Sequence, residues 1–287
     1  MMTTVGIMSP GHMGAGLGWA LRIGGARVVA TLEDRSARTA RLAAQAELDL
    51  LPTLVDVVRV SDVVLSVTPP GHALAASSSI AAACRLAGVA PIVADLNAVA
   101  PATVAEIART LDGMPVVDGS ISGAPPTHRP GARVYLSGPR AHEVAALPWA
   151  GKVEPVVVGG ETGSASALKM CTASVYKGLN ALLTQAMRTA GRHGVLDHVL
   201  ADLGHNGMDN SAAVARAATK AHRYVDEMRQ IAATQAGAGL TPALFEAFAE
   251  VYADIAQTAL ADGDPETTRA LPPAEVVSRL SRTRRPH

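Results

Sequence analysis

A change of pattern near residue 161 constrains this chain more than any other feature. Before it, short apolar runs alternate with helix-length segments. Residues 4–8, 27–32, 62–67, 91–96 and 114–118 read as strands. Strands this short, separated by helices, imply βαβ units and a mostly parallel sheet. After it the strand signal stops, and residues 162–192 read as one uninterrupted helix. At 1.5 Å per residue that helix is roughly 45 Å long. Such a length suits a helix that leaves one domain and forms the spine of a second. Further helices are expected over residues 212–236 and 242–261. The expected architecture is a doubly wound α/β domain over residues 1–161 followed by an all-helical domain over residues 162–287.

Composition narrows the class. Of the 287 residues, 48% are hydrophobic but only 3% aromatic, so Ala, Val, Leu and Ile must build the core. A formal net charge of zero gives no electrostatic case for nucleic acid as a partner. The two cysteines, Cys84 and Cys171, lack CxxC or Cys/His spacing, which argues against a disulfide framework and a zinc site. His193, His198 and His205 are spaced so that no two share a helix face, and no metal is expected. The first strand begins too close to Met1 for a signal peptide. The longest charge-free run, residues 63–84, is interrupted by Pro69-Pro70-Gly71 and three serines, and makes a poor membrane span. A cytoplasmic protein without a membrane partner is expected. The arginine-rich end from Arg279 reads as a solvated tail.

The first strand runs into Ser9-Pro10-Gly11-His12-Met13-Gly14 and then a helix. Little side-chain bulk is tolerated in such a turn when a pyrophosphate must approach main-chain N–H groups at a helix start. Gly11 and Gly14 hold the second and third positions of G-x-G-x-x-G, and Ser9 replaces the first glycine. This is a Rossmann-type dinucleotide fingerprint, with Ser9, Gly11, His12, Met13 and Gly14 as cofactor-binding candidates. The second strand ends in Leu32-Glu33-Asp34-Arg35-Ser36. An acid here holds ribose hydroxyls and favours NAD, whereas an arginine followed by serine can bind a 2′-phosphate and favours NADP. Both signals are present. The expectation leans to NADP through Arg35 and Ser36, with NAD as the alternative.

Hydride transfer from an alcohol requires a group that removes the hydroxyl proton. A lysine serves when desolvation lowers its pKa. Lys169 has no charged neighbour between Glu161 and Lys177, and its flanks are apolar. On a helix, Lys169, Thr172, Ala173, Tyr176 and Asn180 share one face. Lys177 reads equally as a substrate contact or an exposed helix charge. Ser122-Gly123-Ala124 follows a strand, where small residues leave N–H groups available to a carboxylate. No Y-x-x-x-K, G-x-S-x-G or P-loop motif occurs.

Together these segments resemble the β-hydroxyacid dehydrogenase family, relatives of 6-phosphogluconate dehydrogenase. The resemblance rests on Val5-Gly6-Ile7-Met8-Ser9-Pro10-Gly11-His12-Met13-Gly14, on Ser66-Val67-Thr68-Pro69-Pro70, on Asp118-Gly119-Ser120-Ile121-Ser122-Gly123-Ala124, and on Gly163-Ser164-Ala165-Ser166-Ala167-Leu168-Lys169. Asp95-Leu96-Asn97 is similar to the D-x-N/S segment near the nicotinamide, and His222-Arg223, Glu227-Met228 and Ile231-Ala232 are similar to a pattern in less characterised relatives. The resemblance implies a 6-phosphogluconate-dehydrogenase-like helical domain and a cofactor passing Thr68, Pro69 and Asn97. It implies that Ser122, Gly123 and Ala124 hold a substrate carboxylate and that Lys169 is catalytic. Ser120 and Ala124 depart from the family's D-A-P-V-S-G-G, and Thr172 stands where the dehydrogenases have an asparagine that contacts substrate.

The chain is therefore expected to be an NAD(P)-dependent oxidoreductase acting on a hydroxy acid or related alcohol. Lys169 is the expected general acid/base, and Thr172, Tyr176 and Lys177 are further substrate contacts. An imine reductase on the same scaffold, or a non-catalytic dinucleotide sensor, is the rival reading; Lys169 argues against both. The apolar surface of the long helix implies a homodimer through the helical domain.

Overall fold

The computed structural model describes residues 2–127, 130–263 and 271–282. It divides into two compact units, one ending at Met170 and the other beginning at Cys171. The division falls within a helix, because the first turns of that helix belong to the sheet-bearing unit.

The first unit is built on an eight-stranded sheet of order β3-β2-β1-β4-β5-β6-β7-β8. Its strands are β1 (Thr4–Ile7), β2 (Arg27–Thr31), β3 (Asp49–Leu51), β4 (Val63–Ser66), β5 (Ile92–Asp95), β6 (Val116–Ser122), β7 (Ala132–Ser137) and β8 (Val153–Gly159). All neighbours are parallel except β6 and β7. Its helices are α1 (His12–Ile23), α2 (Ala37–Gln45), α3 (Leu54–Val60), α4 (Ala73–Ala87), α5 (Pro101–Thr110) and α6 (Ala141–Ala145).

The central strands alternate their side chains between two cores. Val63 and Leu65 of β4, with Ile92 and Ala94 of β5, join residues of α1, α2 and α6 on one face. Val64 and Val93 join residues of α3, α4 and α5 on the other. A strand buried on both faces must be apolar at every position, which is why these strands stand out in the sequence. The order places the switch from β1 to β4 at the start of α1, where open α/β sheets bind ligands.

The second unit is helical. The long helix α7 (Ser164–Arg192) begins in the first unit and continues into the second, where α8 (Leu196–Gly204), α9 (Ser211–Ala218), α10 (Ala221–Gly237), α11 (Ala243–Ile255) and α12 (Pro273–Leu280) follow. Within this unit α10 packs against α11. Gly178 of α7 meets the Phe248 ring and Gly191 meets Val277, contacts close enough that an added Cβ would lie 3.3 and 2.5 Å away.

Three expectations need correction. The helix expected over residues 212–236 is two, α9 and α10, separated at Thr219-Lys220. An unbroken helix would stack Arg216, Lys220 and Arg223 on one face, and like charges so placed are unfavourable. β3, β7 and β8 have no counterpart in the expected strands. β7 and β8 carry an exposed ion pair, Arg133 with Glu154, and β8 contains Pro155, so their apolar pattern is broken. Finally, Arg279 is no frayed residue: it lies in α12 and donates to Glu275 at 2.7 Å. The residues beyond Arg282 lie outside those described. Cys84 is buried and Cys171 exposed, and neither is in a disulfide. No helix is long and apolar enough to cross a membrane among the described residues.

Candidate active site

The glycine turn has the shape its sequence implied. A Cβ on Gly14 would lie 2.1 Å from the Ser9 carbonyl oxygen, so only glycine fits there. A Cβ on Gly11, which caps α1, would meet nothing within 4 Å. The helix start therefore opens onto space with no side chain capping it. Among the described residues the non-glycine positions with left-handed φ are Asp34, Glu47 and Ala150, so Ser9 fills the first glycine's place without that strain. His12 opens α1, and Met13 packs partly against the core. These features fit a pyrophosphate held by main-chain N–H groups and by the positive end of the helix.

At the end of β2, Glu33, Asp34, Arg35 and Ser36 are exposed. Ser36 caps α2, accepting the Thr39 N–H at 3.3 Å. Arg35 reaches back to the start of the glycine turn, where its Nη2 donates to the Met8 carbonyl at 3.4 Å.

Thr68, Pro69 and Asn97 gather at the ends of β4 and β5. The Thr68 backbone N–H donates to Asn97 Oδ1 at 2.6 Å, and Asn97 Nδ2 donates to Ser66 Oγ at 3.1 Å and to Asp95 Oδ2 at 2.7 Å. Burial raises the Asp95 carboxyl to about 7, opposed by hydrogen bonds from Asn97 and Ser66 and aided by the charge of Asp118.

Lys169 is positioned by a second buried carboxylate. Asp118 of β6 accepts four hydrogen bonds, from Ser137 Oγ (2.8 Å), Gly163 N (3.0 Å), Ser166 N (3.1 Å) and Ser166 Oγ (2.6 Å). Three of these come from the beginning of α7, so a negative charge sits at the helix start, where the helix dipole favours it. Ser120 Oγ also donates to the Ala165 carbonyl at 2.9 Å. The first turns of α7 are thereby fixed to β6, and Lys169 Nζ donates to the Ile121 carbonyl at 2.7 Å. Desolvation lowers the Lys169 pKa below that of an ordinary lysine.

The ammonium thus lies beside Ser122-Gly123-Ala124. Ser122 ends β6, and Gly123 and Ala124 are exposed. Gly123 has φ +116 and a Cβ there would lie 3.1 Å from Ala132 Cα, so glycine is required for the chain to turn here. The geometry brings together a lysine able to transfer a proton and a turn of small residues at the carboxyl end of the sheet.

Thr172 and Tyr176 lie farther along α7 and are exposed. Lys177 is not the exposed helix charge that was one of its two expected readings. It is paired with the buried Glu227 of α10 and lies 4.6 Å from the centre of the Tyr224 ring. The Tyr252 hydroxyl donates to the Lys177 carbonyl at 2.7 Å. Sequence reasoning missed this cluster, whose parts are far apart in the chain. It also gave no role to Asp118, although the acid stood in a quoted motif. Among the described residues no group of three His, Cys, Asp or Glu side chains is arranged to hold a metal.

Comparison with known proteins gives a consistent picture. Residues 190–269 match a family described as a domain of unknown function, DUF1932. An uncharacterized 28.5 kDa protein of Methanothermus fervidus is 28% identical over 169 residues, spanning 59% of this chain and 64% of that protein. The chain's match thus covers less than two thirds of that curated relative. Among solved structures, MTH1747, a conserved protein of unknown function reported to resemble 3-hydroxyacid dehydrogenases, is 28% identical with a TM-score of 0.66, covering 88% of this chain and 96% of that one. The Mycobacterium tuberculosis 3-hydroxyisobutyrate dehydrogenase is 21% identical with a TM-score of 0.69, covering 98% and 100%. A Streptomyces aurantiacus imine reductase shares the fold at a TM-score of 0.54 and 20% identity, covering 88% and 93%. The chain shares the fold of these structures, a mostly parallel sheet followed by a helical region, as the sequence reading expected.

Replacing Asp118 by Ala leaves several buried donors without a partner. Denaturant unfolding is expected to register a loss of about 3–5 kcal/mol. Asp118→Asn, which keeps an acceptor oxygen, is expected to lose less.

Proposed function

We propose that this protein is an NAD(P)-dependent oxidoreductase acting on a hydroxy acid or a related alcohol, with Lys169 as general acid/base. The observation that carries this reading is the contact of Lys169 Nζ with the Ile121 carbonyl, beside the Ser122-Gly123-Ala124 turn. A bound nicotinamide would accept or supply the hydride. The chain's own residues do the rest. Gly11, Gly14 and the N-terminus of α1 hold the pyrophosphate, with Ser9, His12 and Met13 forming the turn around it. Thr68, Pro69 and Asn97 line the cofactor's path. Ser122, Gly123 and Ala124 orient the substrate carboxylate, and Thr172 and Tyr176 contribute further contacts. Lys169 in its neutral form takes the substrate hydroxyl proton during oxidation and returns it during reduction.

Lys169→Ala is expected to reduce kcat by about 10²–10⁴-fold, the usual contribution of a general acid/base. The dissociation constant for cofactor should stay unchanged, since the glycine turn is intact. Lys169→Arg should be equally inactive in oxidation, because a guanidinium does not give up its proton. In the wild type, burial lowers the lysine pKa, so alcohol oxidation rises with pH and levels off below the range of an ordinary lysine. Retained turnover in Lys169→Ala would overturn the assignment.

NADP is the proposed cofactor. The reach of Arg35 toward Met8, with Ser36 beside it at the start of α2, supports a site for the 2′-phosphate. Fluorescence titration should give tighter binding of NADPH than NADH. Arg35→Ala should weaken NADPH by about 10- to 100-fold, the worth of a hydrogen bond to a charged group, and leave NADH unchanged. Tighter NADH binding would transfer the role to Glu33 or Asp34 and the ribose.

The protein is further proposed to be a homodimer through its helical half. Val175, Tyr176, Leu179 and Leu182 of α7 are large and exposed, more apolar surface on one helix than a lone chain usually leaves in water. Light scattering should return the mass of two chains, and a strictly monomeric mass would overturn this.

A further inference from the structure

The proposed chemistry leaves one buried acid without a task. Asp95 ends β5, in register with Ser66 of β4 and Asp118 of β6. Its oxygens accept from Asn97, Oδ1 from the backbone N–H at 3.2 Å and Oδ2 from Nδ2 at 2.7 Å, and the Ser66 hydroxyl bonds to the same carboxylate. The second amide hydrogen of Asn97 goes to Ser66 Oγ at 3.1 Å. With both hydrogens committed on one side, the amide has one orientation. Its Oδ1 faces Thr68 and accepts the backbone N–H at 2.6 Å and the hydroxyl at 3.3 Å. Position is thus passed from Asp95 through Asn97 to the loop that leads into Pro69.

An ionised carboxylate only accepts hydrogen bonds, whereas a protonated one must also donate. A proton on Oδ2 would oppose the Asn97 N–H. Turning the amide over would relieve that conflict, but it would set the amide hydrogens against the Thr68 N–H. The ionised form of Asp95 is therefore the one that holds the loop. We propose that Asp95 is a positioning residue for the dinucleotide: as a carboxylate it orients Asn97 and the Thr68-Pro69 loop, and its protonation weakens cofactor binding.

This rests on the dinucleotide reading above. Burial is the main cause that brings the Asp95 carboxyl to about 7, within a range ordinary buffers cover. Asp118 on β6 is the charged group that adds to it. β4 contributes only the Ser66 hydroxyl, which, like Asn97, pulls the other way. The sign follows: binding is tight above about 7 and weakens as the pH falls through it.

The test is fluorescence titration of NADH and NADPH between pH 6 and 8. NADH separates the protein's titration from that of the 2′-phosphate. For the wild type, the dissociation constant should be about tenfold larger at pH 6 than at pH 8, as one proton with a pKa near 7 requires. Asp95→Asn should bind more weakly at every pH and lose the slope. Ser66→Ala removes a hydroxyl that favours the ionised form, so its midpoint should move to higher pH. This variant also serves if Asp95→Asn does not fold. A flat wild-type profile for NADH, a slope kept in Asp95→Asn, or an unmoved midpoint in Ser66→Ala would overturn the inference and leave the dinucleotide reading intact. Failure to bind either cofactor at any pH would instead remove the dinucleotide reading.

Discussion

The Asp118 carboxylate holds the rest of the site in place. A buried carboxylate is costly unless its oxygens are met by donors, and this one is met four times. Two of those donors are main-chain N–H groups at the beginning of α7, which a helix always leaves unsatisfied. One interaction therefore answers two needs, the acid's and the helix's. Its structural effect reaches further. Ser137 of β7, which donates to Asp118, also accepts the Ala165 N–H at 3.1 Å. β6, β7 and the first turns of α7 become one rigid piece, and Lys169 is carried on it. A lysine side chain has four rotatable bonds to fix, and a helix anchored six residues before Lys169 limits where those bonds can point.

The second buried acid of the same row is satisfied differently. Asp95 is met chiefly by one amide, and its environment includes the charge of Asp118 on the neighbouring strand. Asp118 serves a helix start and Asp95 serves a loop. The two acids stand side by side at the carboxyl end of the sheet, where the doubly wound fold concentrates ligand binding. The contrast between them follows from donor count: where main-chain N–H groups converge, the carboxylate is a structural anchor. Where burial outweighs a few side-chain donors, the acid can take up a proton near neutrality.

Much of this was legible in the sequence, for particular physical reasons. β1, β2, β4 and β5 carry apolar residues toward both faces, and Val116-Val117 marked the start of β6. The glycine turn announced itself because backbone crowding at Gly14 forbids any other residue. Lys169 stood out because fifteen residues around it, from 162 to 176, hold no other charge. What stayed hidden depends on pairing across long stretches of chain. β7 and β8 interrupt their apolar pattern with Arg133, Glu154 and Pro155; β8 is an edge strand, where a proline is tolerated. The break between α9 and α10 lies in an Ala-rich stretch whose helical periodicity continues across it. The row of Ser66, Asp95, Asp118 and Ser137 exists only once four strands are in register.

The two lysines of α7 make the last point about how context decides chemistry. Lys169 and Lys177 are of the same type, on the same helix, and both are drawn away from water. Lys177 meets the carboxylate of Glu227 and the face of Tyr224. A full opposite charge and an aromatic ring compensate an ammonium for the water it has lost. Lys169 meets the carbonyl of Ile121, a dipole and not a charge. That contact orients the amine without neutralising it, so burial is left to weaken the hold on the proton. Lys177 is tied to another helix of its own unit, and Lys169 is left with a lowered pKa. Charge spacing alone does not distinguish them, since they are the only two charged residues between Glu161 and Arg188. The difference arises from Glu227, fifty residues downstream of Lys177, and from β6, whose Ile121 carbonyl meets Lys169.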